Sequence, residues 1–343
     1  MLRRAYPIKR AFAWRWLIVQ GLILLPLVGC QPGDGDEGPS LRSTSTGDTG
    51  AKRQIVAVSY PLEYLTQRIA GSEMEVRCPV PAGERASQWR PQRAEILAMQ
   101  RADLIVANGV GARFAKWLDS VSLPDSKICN SATKGLALAD YISVDDVRLV
   151  HSHGPEGEHS HPTTVAYTWL NPLIASKQAD YIATELARID PAHKEIFSAN
   201  LQALKQDLTE LAEAFKELPQ SPGDQPLVVL SANPDLKFFS QAAGFQDHHL
   251  TWFEPPTAAV AAVELENFLL LYKNHPTLRQ QGQTVLLSNY PFSTELLEVV
   301  QSQGVTVLVV DPMDIRPNNG DYLTVMKRNL SQFQSVSEIP GDH

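Results

Sequence analysis

The chain has 343 residues and a formal net charge of −8, with 38 acidic and 30 basic side chains. This acidic balance argues against a nucleic-acid-binding protein, which would present a basic surface. The length is sufficient for two domains of ordinary size.

The N-terminal segment has the pattern of an export signal. Its charged residues are all basic, and residues 16–28 form a short apolar run that ends in Leu-Val-Gly-Cys30. A basic start, a short apolar stretch and small residues before a cleavage point are typical of signal peptides, and this run is too short to span a bilayer. Leu-Val-Gly-Cys resembles a bacterial lipobox, in which the cysteine is acylated after cleavage. We predict a lipoprotein signal peptide over residues 1–29 and lipid attachment at Cys30; an ordinary signal peptide or an uncleaved anchor is the alternative.

Residues 30–53 are rich in glycine, serine and threonine and nearly lack large apolar side chains. Such a composition predicts a disordered tether with a reach of roughly 25 Å. The folded part is therefore expected to be exported and lipid-anchored to the cell envelope, either periplasmic or on the outer face of a membrane.

The first half of the remaining chain alternates strands with helices. Strands are predicted at 54–59, 74–80, 103–107 and 127–129. Helices are predicted at 61–70, 92–101 and 113–120. Strands separated by helices predict a parallel sheet covered on both faces, here an N-terminal α/β lobe over residues 54–188.

A histidine-rich segment interrupts this lobe. His151, His153, His159 and His161 form two His-x-His pairs within residues 151–161. Because few residues here can join a core, we predict a surface loop. Neutral imidazoles bind zinc, copper or nickel, so the segment is a candidate metal site; a solvated polar loop is the alternative.

Helical periodicity dominates after residue 172, with one helix predicted over 173–189. Asp190 as N-cap and Pro191 at the first position predict a second, long helix, which would link two lobes over residues 189–218. The C-terminal lobe, residues 219–343, repeats the α/β pattern. Its predicted strands are 226–230, 284–287 and 305–310, its predicted helices are 236–243, 259–273, 293–303 and 322–333, and His248-His249 is predicted in a turn.

The predicted fold class is α/β, with two Rossmann-like lobes joined by one long linking helix. Each lobe would be a mostly parallel sheet flanked by helices. A ligand cleft is expected between the carboxyl ends of their strands.

Five motifs occur in a characteristic order along the chain. They are residues 102–118, Trp169-Leu-Asn-Pro172, Asp190-Pro-Ala-His-Lys194, Phe238-Phe239 with Ala243-Gly244-Phe245, and Val310-Asp-Pro-Met313. Together they resemble the zinc/manganese-type solute-binding lipoproteins of ABC metal importers (cluster A-I substrate-binding proteins). The resemblance implies a monomeric two-lobed receptor rather than an enzyme. It would bind one Zn²⁺ or Mn²⁺ between its lobes and deliver it to an ABC permease with its ATPase. Its cargo metal would not be a catalytic cofactor.

The resemblance also implies four metal-ligand positions, and three of them are substituted. The family places histidine, or histidine and glutamate, where this chain has Ser87, Tyr167 and Asn233; only the last position keeps its type, as Asp311. A hydroxyl, a neutral phenol and an amide make a poor zinc or manganese site. The metal site is therefore predicted to be degenerate, with Asp311 and the four loop histidines as the remaining candidate ligands.

Alternative functions stay open at this point. A diverged member could bind a non-metal solute or act as an adhesin-like envelope lipoprotein. An enzyme ranks last because the sequence has no Gly-x-Ser-x-Gly or His-Glu-x-x-His motif. Cys78 and Cys129 could pair in an oxidising compartment, although both are predicted in strands that need not be neighbours.

Overall fold

The computed structural model of the chain describes residues 52–109, 117–118, 121–132, 148–152, 158–162, 167–218, 227–245, 248–250, 252, 254–274 and 283–337. The predicted signal peptide, Cys30 and nearly all of the predicted tether lie outside these residues. The tether ends earlier than predicted, because Arg53 already belongs to the first strand.

The first sheet has four parallel strands in the order β2-β1-β3-β4. The strands are β1 (Arg53–Ala57), β2 (Met74–Arg77), β3 (Leu104–Ala107) and β4 (Ile128–Asn130). Helices α1 (Tyr60–Ala70) and α2 (Arg93–Arg101) connect them. The central strands β1 and β3 are almost wholly apolar and buried, as expected for a parallel sheet covered on both faces. Of the helix predicted at 113–120, only Trp117 and Leu118 are described, in a 3₁₀ turn.

The two internal cysteines are free thiols. Cys129 lies in β4, at one edge of the first sheet, and Cys78 directly follows β2, at the other edge. Cys78 was predicted inside a strand, but β2 ends one residue before it. Opposite edges of a four-stranded sheet are too far apart for a disulfide, since neighbouring strands lie about 4.8 Å apart.

The sequence predicted a surface loop for the histidine-rich segment, but the structure shows paired strands there. It contains two antiparallel strands, β5 (Arg148–Ser152) and β6 (Glu158–Pro162), which we call the histidine hairpin. The prediction considered only the lack of apolar side chains. It missed that the alternating His-Ser-His sequence fits a strand, where residues two apart share a face.

Helices α3 and α4 follow the hairpin. Helix α3 (Pro172–Ile189) begins after Asn171, whose side chain accepts a hydrogen bond from the Leu173 amide at 3.0 Å. Helix α4 (Lys194–Lys216) has 23 residues and begins later than predicted, because a 3₁₀ turn precedes it. Asp190 makes no cap hydrogen bond there; its carboxylate instead lies 2.8 Å from Nδ1 of His193.

The second sheet is also parallel and four-stranded, in the order β10-β9-β7-β8. Its strands are β7 (Leu227–Ser231), β8 (His248–His249), β9 (Gln283–Ser288) and β10 (Val305–Val309). Its helices are α5 (Lys237–Ala242), α6 (Ala258–Asn274), α7 (Thr294–Ser302) and α8 (Tyr322–Ser337). His248 and His249 therefore pair with β7 as an edge strand, where a turn was predicted; two adjacent polar residues gave no strand periodicity to detect.

Helix α4 packs into the core that joins the two sheets. One continuous apolar cluster runs from Ile55 of β1 through Phe215 of α4 to Phe239 and Phe333. The Phe215 and Phe239 rings meet edge to face at 5.2 Å. A smaller cluster around Trp252 and Leu286 completes the second lobe. The predicted fold class, with two parallel sheets flanked by helices, is confirmed. Among the helices that the structure describes, none combines the length and apolar character needed to cross a bilayer.

Candidate functional site in the cleft between the lobes

The cleft lies where two loops meet. The β2–α2 loop (residues 78–92) belongs to the first lobe, and the β10–α8 loop (residues 310–321) follows the last strand of the second lobe. Both loops leave the carboxyl ends of parallel strands, which is where open α/β sheets place ligands. Of the four predicted cleft positions, Ser87 lies on the first loop and Asp311 on the second, while Tyr167 and Asn233 come from other segments.

Ser87 is bound to a carboxylate of the opposite loop. Its amide donates to Oδ1 of Asp314 at 2.9 Å, and its hydroxyl donates to Oδ2 of the same residue at 2.6 Å. The Arg85 guanidinium lies 3.6 Å from Oδ2, and the Asp314 side chain is only 2% exposed. The first predicted metal-ligand position therefore serves as a hydrogen-bond donor between the lobes.

Asn233 is fully buried, and its side chain is engaged within the protein. Its Oδ1 accepts from the Asp235 amide at 3.0 Å, so it caps the turn that leads into α5. Its Nδ2 donates to the Trp252 carbonyl at 3.0 Å and to Oδ1 of Asn289 at 2.9 Å. Both N–H donors of the side-chain amide are thus used, and the side chain links the turn before α5 to Trp252 and Asn289.

Tyr167 is also buried beside the cleft. Burial raises the pKa of its phenol well above the ordinary value, and the Asp314 and Asp235 carboxylates raise it further, while a hydrogen bond with Asn289 opposes this shift. The phenol is therefore neutral at physiological pH. A neutral phenol is a weak ligand for zinc or manganese, because bound protein ligands are usually imidazole, thiolate or carboxylate.

Asp311 begins the β10–α8 loop and is anchored through its backbone. Its amide donates to Oδ1 of Asn329 at 3.0 Å, and its carbonyl accepts from Nδ2 of Asn329 at 2.9 Å. Its carboxylate Oδ1 accepts from the Met313 amide at 2.8 Å. Met313 has a positive φ of 57°, an uncommon conformation for a residue with a side chain, and this hydrogen bond helps to hold it.

The β10–α8 loop is fastened to the rest of the molecule at two further points. The buried Trp169 indole donates from Nε1 to the Pro312 carbonyl at 2.9 Å. Arg316 pairs with Glu63 of α1 and lies 4.9 Å from the centre of the Tyr60 ring. This loop, anchored by these contacts, forms one wall of the cleft.

The structure brings some predicted site residues together and leaves others apart. Asn289 contacts both Asn233 and Tyr167, and Ser87 contacts Asp314. Among the side chains that the structure describes, no group of three or more His, Cys, Asp and Glu is arranged to hold a metal ion.

The histidine hairpin is described through its backbone pairing. Its register places His151 opposite His159, and His161 opposite Leu149. His161 lies two residues after His159 in the same strand. His153 lies outside the described residues.

Sequence reasoning missed Asp314 and Asn289. Asp314 follows Asp311 by three residues in Asp-Pro-Met-Asp, and this second carboxylate was a usable signal for a residue facing the cleft. Asn289 directly follows β9, and a polar residue at the carboxyl end of a parallel strand is the other signal that was available.

Comparison with known proteins identifies the family. The family model described as zinc-uptake complex component A, periplasmic (ZnuA), matches residues 55–336. The manganese ABC transporter substrate-binding lipoprotein PsaA of Streptococcus anginosus is 27% identical over 236 residues, which are 66% of this chain and 68% of that protein.

Solved structures show the same fold. The Zn(II)-bound ZnuA-like domain of Streptococcus pneumoniae AdcA has a TM-score of 0.61 at 20% identity, covering 84% of this chain and 100% of that chain. FpvC of Pseudomonas aeruginosa in complex with Mn²⁺ has a TM-score of 0.60 at 19% identity, covering 83% of this chain and 97% of that chain. Since the family match spans both four-stranded sheets and the helices between them, the chain belongs to the ZnuA family.

Proposed function

We propose that this chain is the extracytoplasmic substrate-binding lipoprotein of a metal-ion ABC importer, with Zn²⁺ or Mn²⁺ as its cargo. The observation that carries the proposal is the family match over residues 55–336, which includes both lobes and the helices that join them. The family consists of binding proteins, so the chain is not an enzyme. It captures its ligand between the lobes and delivers it to a permease that is driven by an ATPase.

The choice of zinc or manganese draws on the relatives. PsaA is named as a manganese transporter component, AdcA was solved with Zn(II), and FpvC was solved with Mn²⁺. Imidazole suits zinc, whereas additional carboxylate oxygens favour manganese. The four histidines at positions 151–161 therefore favour zinc, and the carboxylate of Asp311 is compatible with either metal.

We assign metal binding to Asp311 and to His151, His153, His159 and His161. For His151, His159 and His161 the hairpin register supports this assignment, because directly opposed residues and residues two apart along a strand share one face of a two-stranded ribbon. By contrast, Ser87, Tyr167 and Asn233 hold neutral side chains that are already hydrogen-bonded within the protein. The cleft alone is thus expected to bind a bare divalent cation weakly.

Calorimetric titration of the full-length protein in detergent tests the proposal, with zinc and manganese added separately to the wild type and to a variant that lacks residues 151–161. Loss of most zinc affinity on deletion supports the assignment to the hairpin. Tight one-to-one binding that survives deletion would show that the cleft binds the bare ion without the hairpin histidines, which contradicts the assignment to the hairpin. If the wild type binds neither metal, whether as the bare ion or as a chelate, the proposed function is contradicted.

The proposed domain organisation is that of the sequence prediction, with signal peptide 1–29, tether 30–53, N-terminal lobe 54–188, linking helix 189–218 and C-terminal lobe 219–343. Two of its bounds move: the first strand begins at Arg53, and α4 occupies Lys194–Lys216. The protein is exported and lipid-anchored to the cell envelope, and Cys30 is the proposed attachment residue. Cys30→Ser should release it from membranes, because the acylated thiol is lost and a short apolar run cannot span the bilayer. Cell fractionation measures this; membrane attachment that persists in the variant contradicts the anchor.

A further inference from the structure

A cavity of about 440 Å³ opens beside the Ser87–Asp314 contact. Its floor is formed where β9 and β10 end, at Asn289 and Val310, and the β10–α8 loop forms one wall. The volume lies within the range of about 300–1,000 Å³ that is typical of small-molecule sites. It far exceeds the space that a single metal ion occupies, so a bare ion would leave most of the cavity to water.

The charged residues of this cavity favour an anion. Arg85, Arg316 and Arg328 line it, together with Asp311 and Asp314, so its lining carries one net positive charge. We call it the arginine cavity. Guanidinium groups bind carboxylates through a planar pair of donors, whereas they repel a bare divalent cation.

The two acidic residues are already partly satisfied by the protein. Both oxygens of Asp314 accept hydrogen bonds from Ser87, and one oxygen of Asp311 accepts from the Met313 amide. The Arg85–Asp314 separation of 3.6 Å is well beyond the length of about 2.7–2.9 Å that a charge-assisted hydrogen bond prefers. Arg85 therefore keeps donor capacity that a ligand can use.

The three arginines differ in how strongly they are held. Arg316 is committed to the fold, because it pairs with Glu63 and stacks on Tyr60. Arg328 is an exposed residue of α8 whose guanidinium donates to the Asn319 carbonyl at 3.3 Å, a long hydrogen bond to a neutral acceptor. A structural role explains Arg316 but does not explain why Arg328 faces the same cavity.

We propose that the arginine cavity binds a small polycarboxylate anion, with Arg328 and Arg85 as the residues that bind its carboxylates. The anion enters either free or as the chelate of a divalent metal, and in the second case the polycarboxylate supplies the metal ligands that Ser87, Tyr167 and Asn233 do not. This inference deepens the proposed function, on which the chelate form rests, by naming the chemical form in which the cargo occupies the cleft.

Citrate is the probe. The full-length protein in detergent is titrated calorimetrically with citrate alone, with Mn²⁺ alone and with the one-to-one Mn²⁺–citrate complex. The same titrations are repeated on Arg328→Gln and on a matched control, Arg101→Gln, which removes an exposed arginine of α2 that does not line the cavity. Thermal melting of each variant verifies that it is folded.

The inference predicts that citrate or its manganese complex binds the wild type. Arg328→Gln should weaken that binding by about 10-fold or more, since a charge-assisted contact is lost, and Arg101→Gln should leave it unchanged. Equal binding of free and complexed citrate identifies the free anion as the ligand, whereas binding of the complex alone identifies the chelate. The inference is overturned if the wild type binds neither citrate nor its manganese complex, or if Arg328→Gln binds them as tightly as the wild type does.

The titration with Mn²⁺ alone distinguishes failure of the proposed polycarboxylate site from failure of the proposed function. If bare Mn²⁺ binds and citrate does not, the inference fails and the proposed function stands. If free citrate binds but neither bare Mn²⁺ nor its complex does, metal capture is contradicted and the polycarboxylate site stands.

Discussion

The cleft and the histidine hairpin divide between them the properties expected of one metal site. The cleft has the position between the lobes, but Ser87, Asn233 and Tyr167 are neutral there and are bonded to other protein groups. The hairpin has the imidazoles, but it forms a separate two-stranded ribbon outside both four-stranded sheets. The difference shows that the fold fixes where a cleft lies but not which side chains line it.

The largest loss of stability is expected from a substitution of Trp169, which holds the β10–α8 loop beside the cleft. Trp169 is fully buried, donates to the Pro312 carbonyl and accepts a hydrogen bond from the Tyr322 hydroxyl. Trp169→Ala should lower the free energy of unfolding by about 4 kcal/mol, because it leaves a large cavity and an unpaired carbonyl. Urea denaturation measures this.

Leu173→Ala is the control for that change, since Leu173 lies nearby in α3 but is 42% exposed. Its cost should be within about 0.5 kcal/mol. Similar losses in the two variants would show that Trp169 does not hold the β10–α8 loop.

The next largest loss of stability is expected at the Ser87–Asp314 contact between the lobes. Asp314→Ala removes both hydrogen bonds from Ser87 and leaves Arg85 without its nearby carboxylate, so unfolding should become easier by about 3 kcal/mol. Ser87→Ala keeps the bond from the backbone amide and should cost about 2 kcal/mol. Chemical denaturation of both variants compares them.

Asp180→Ala provides a matched aspartate control, because the Asp180 side chain is 36% exposed and pairs with Lys205. A surface pair of this kind should contribute less than about 1 kcal/mol. A loss in Asp314→Ala no greater than in this control would contradict a tight contact between the lobes.

The hairpin should respond through metal binding rather than stability. The double variant His151→Ala/His159→Ala removes two residues that the register places opposite each other, and zinc affinity should fall by at least about 10-fold, since loss of even a supporting residue has an effect of this size. Ser160→Ala, in the same strand, and Ser87→Ala, in the cleft, should leave zinc affinity unchanged. Calorimetry measures the zinc affinity of each variant. An equal loss of affinity in Ser87→Ala would place the zinc in the cleft.

The smallest effect is expected at Tyr167. Tyr167→Phe should cost about 1 kcal/mol through loss of its hydrogen bond with Asn289, and zinc affinity at neutral pH should not change, because the phenol is protonated there. A fall in zinc affinity would identify Tyr167 as a ligand.

Tyr167 also predicts a pH dependence. Because its folded pKa is raised, its contribution to stability is present below the ordinary tyrosine pKa of 10.0 and is lost as pH rises above that value. Tyr167→Phe should therefore lose less stability than the wild type between neutral and strongly alkaline pH. Denaturation curves at several pH values measure the difference.

Much of the fold could be predicted because its signals are local. The apolar runs of β1, β3, β7 and β9 and the periodicity of α1, α3 and α8 were recognisable within short windows of sequence. Elements without an apolar pattern were missed or misplaced: the histidine hairpin, the edge strand at His248–His249 and the turn that delays α4 until Lys194. Each of these elements depends on backbone pairing or on a turn, and the spacing of apolar residues does not reveal either feature.

The sequence by itself determined the fold class, the order of the family motifs and the side chains at the predicted ligand positions, because all three are properties of the chain read in order. Only the tertiary structure decided what those side chains contact. Ser87 and Asp314 are 227 residues apart in sequence, and their hydrogen bonds arise only when loops from the two lobes meet. The arginine cavity has the same origin, since Arg85 and Arg328 come from different lobes and long-range packing brings them to one surface.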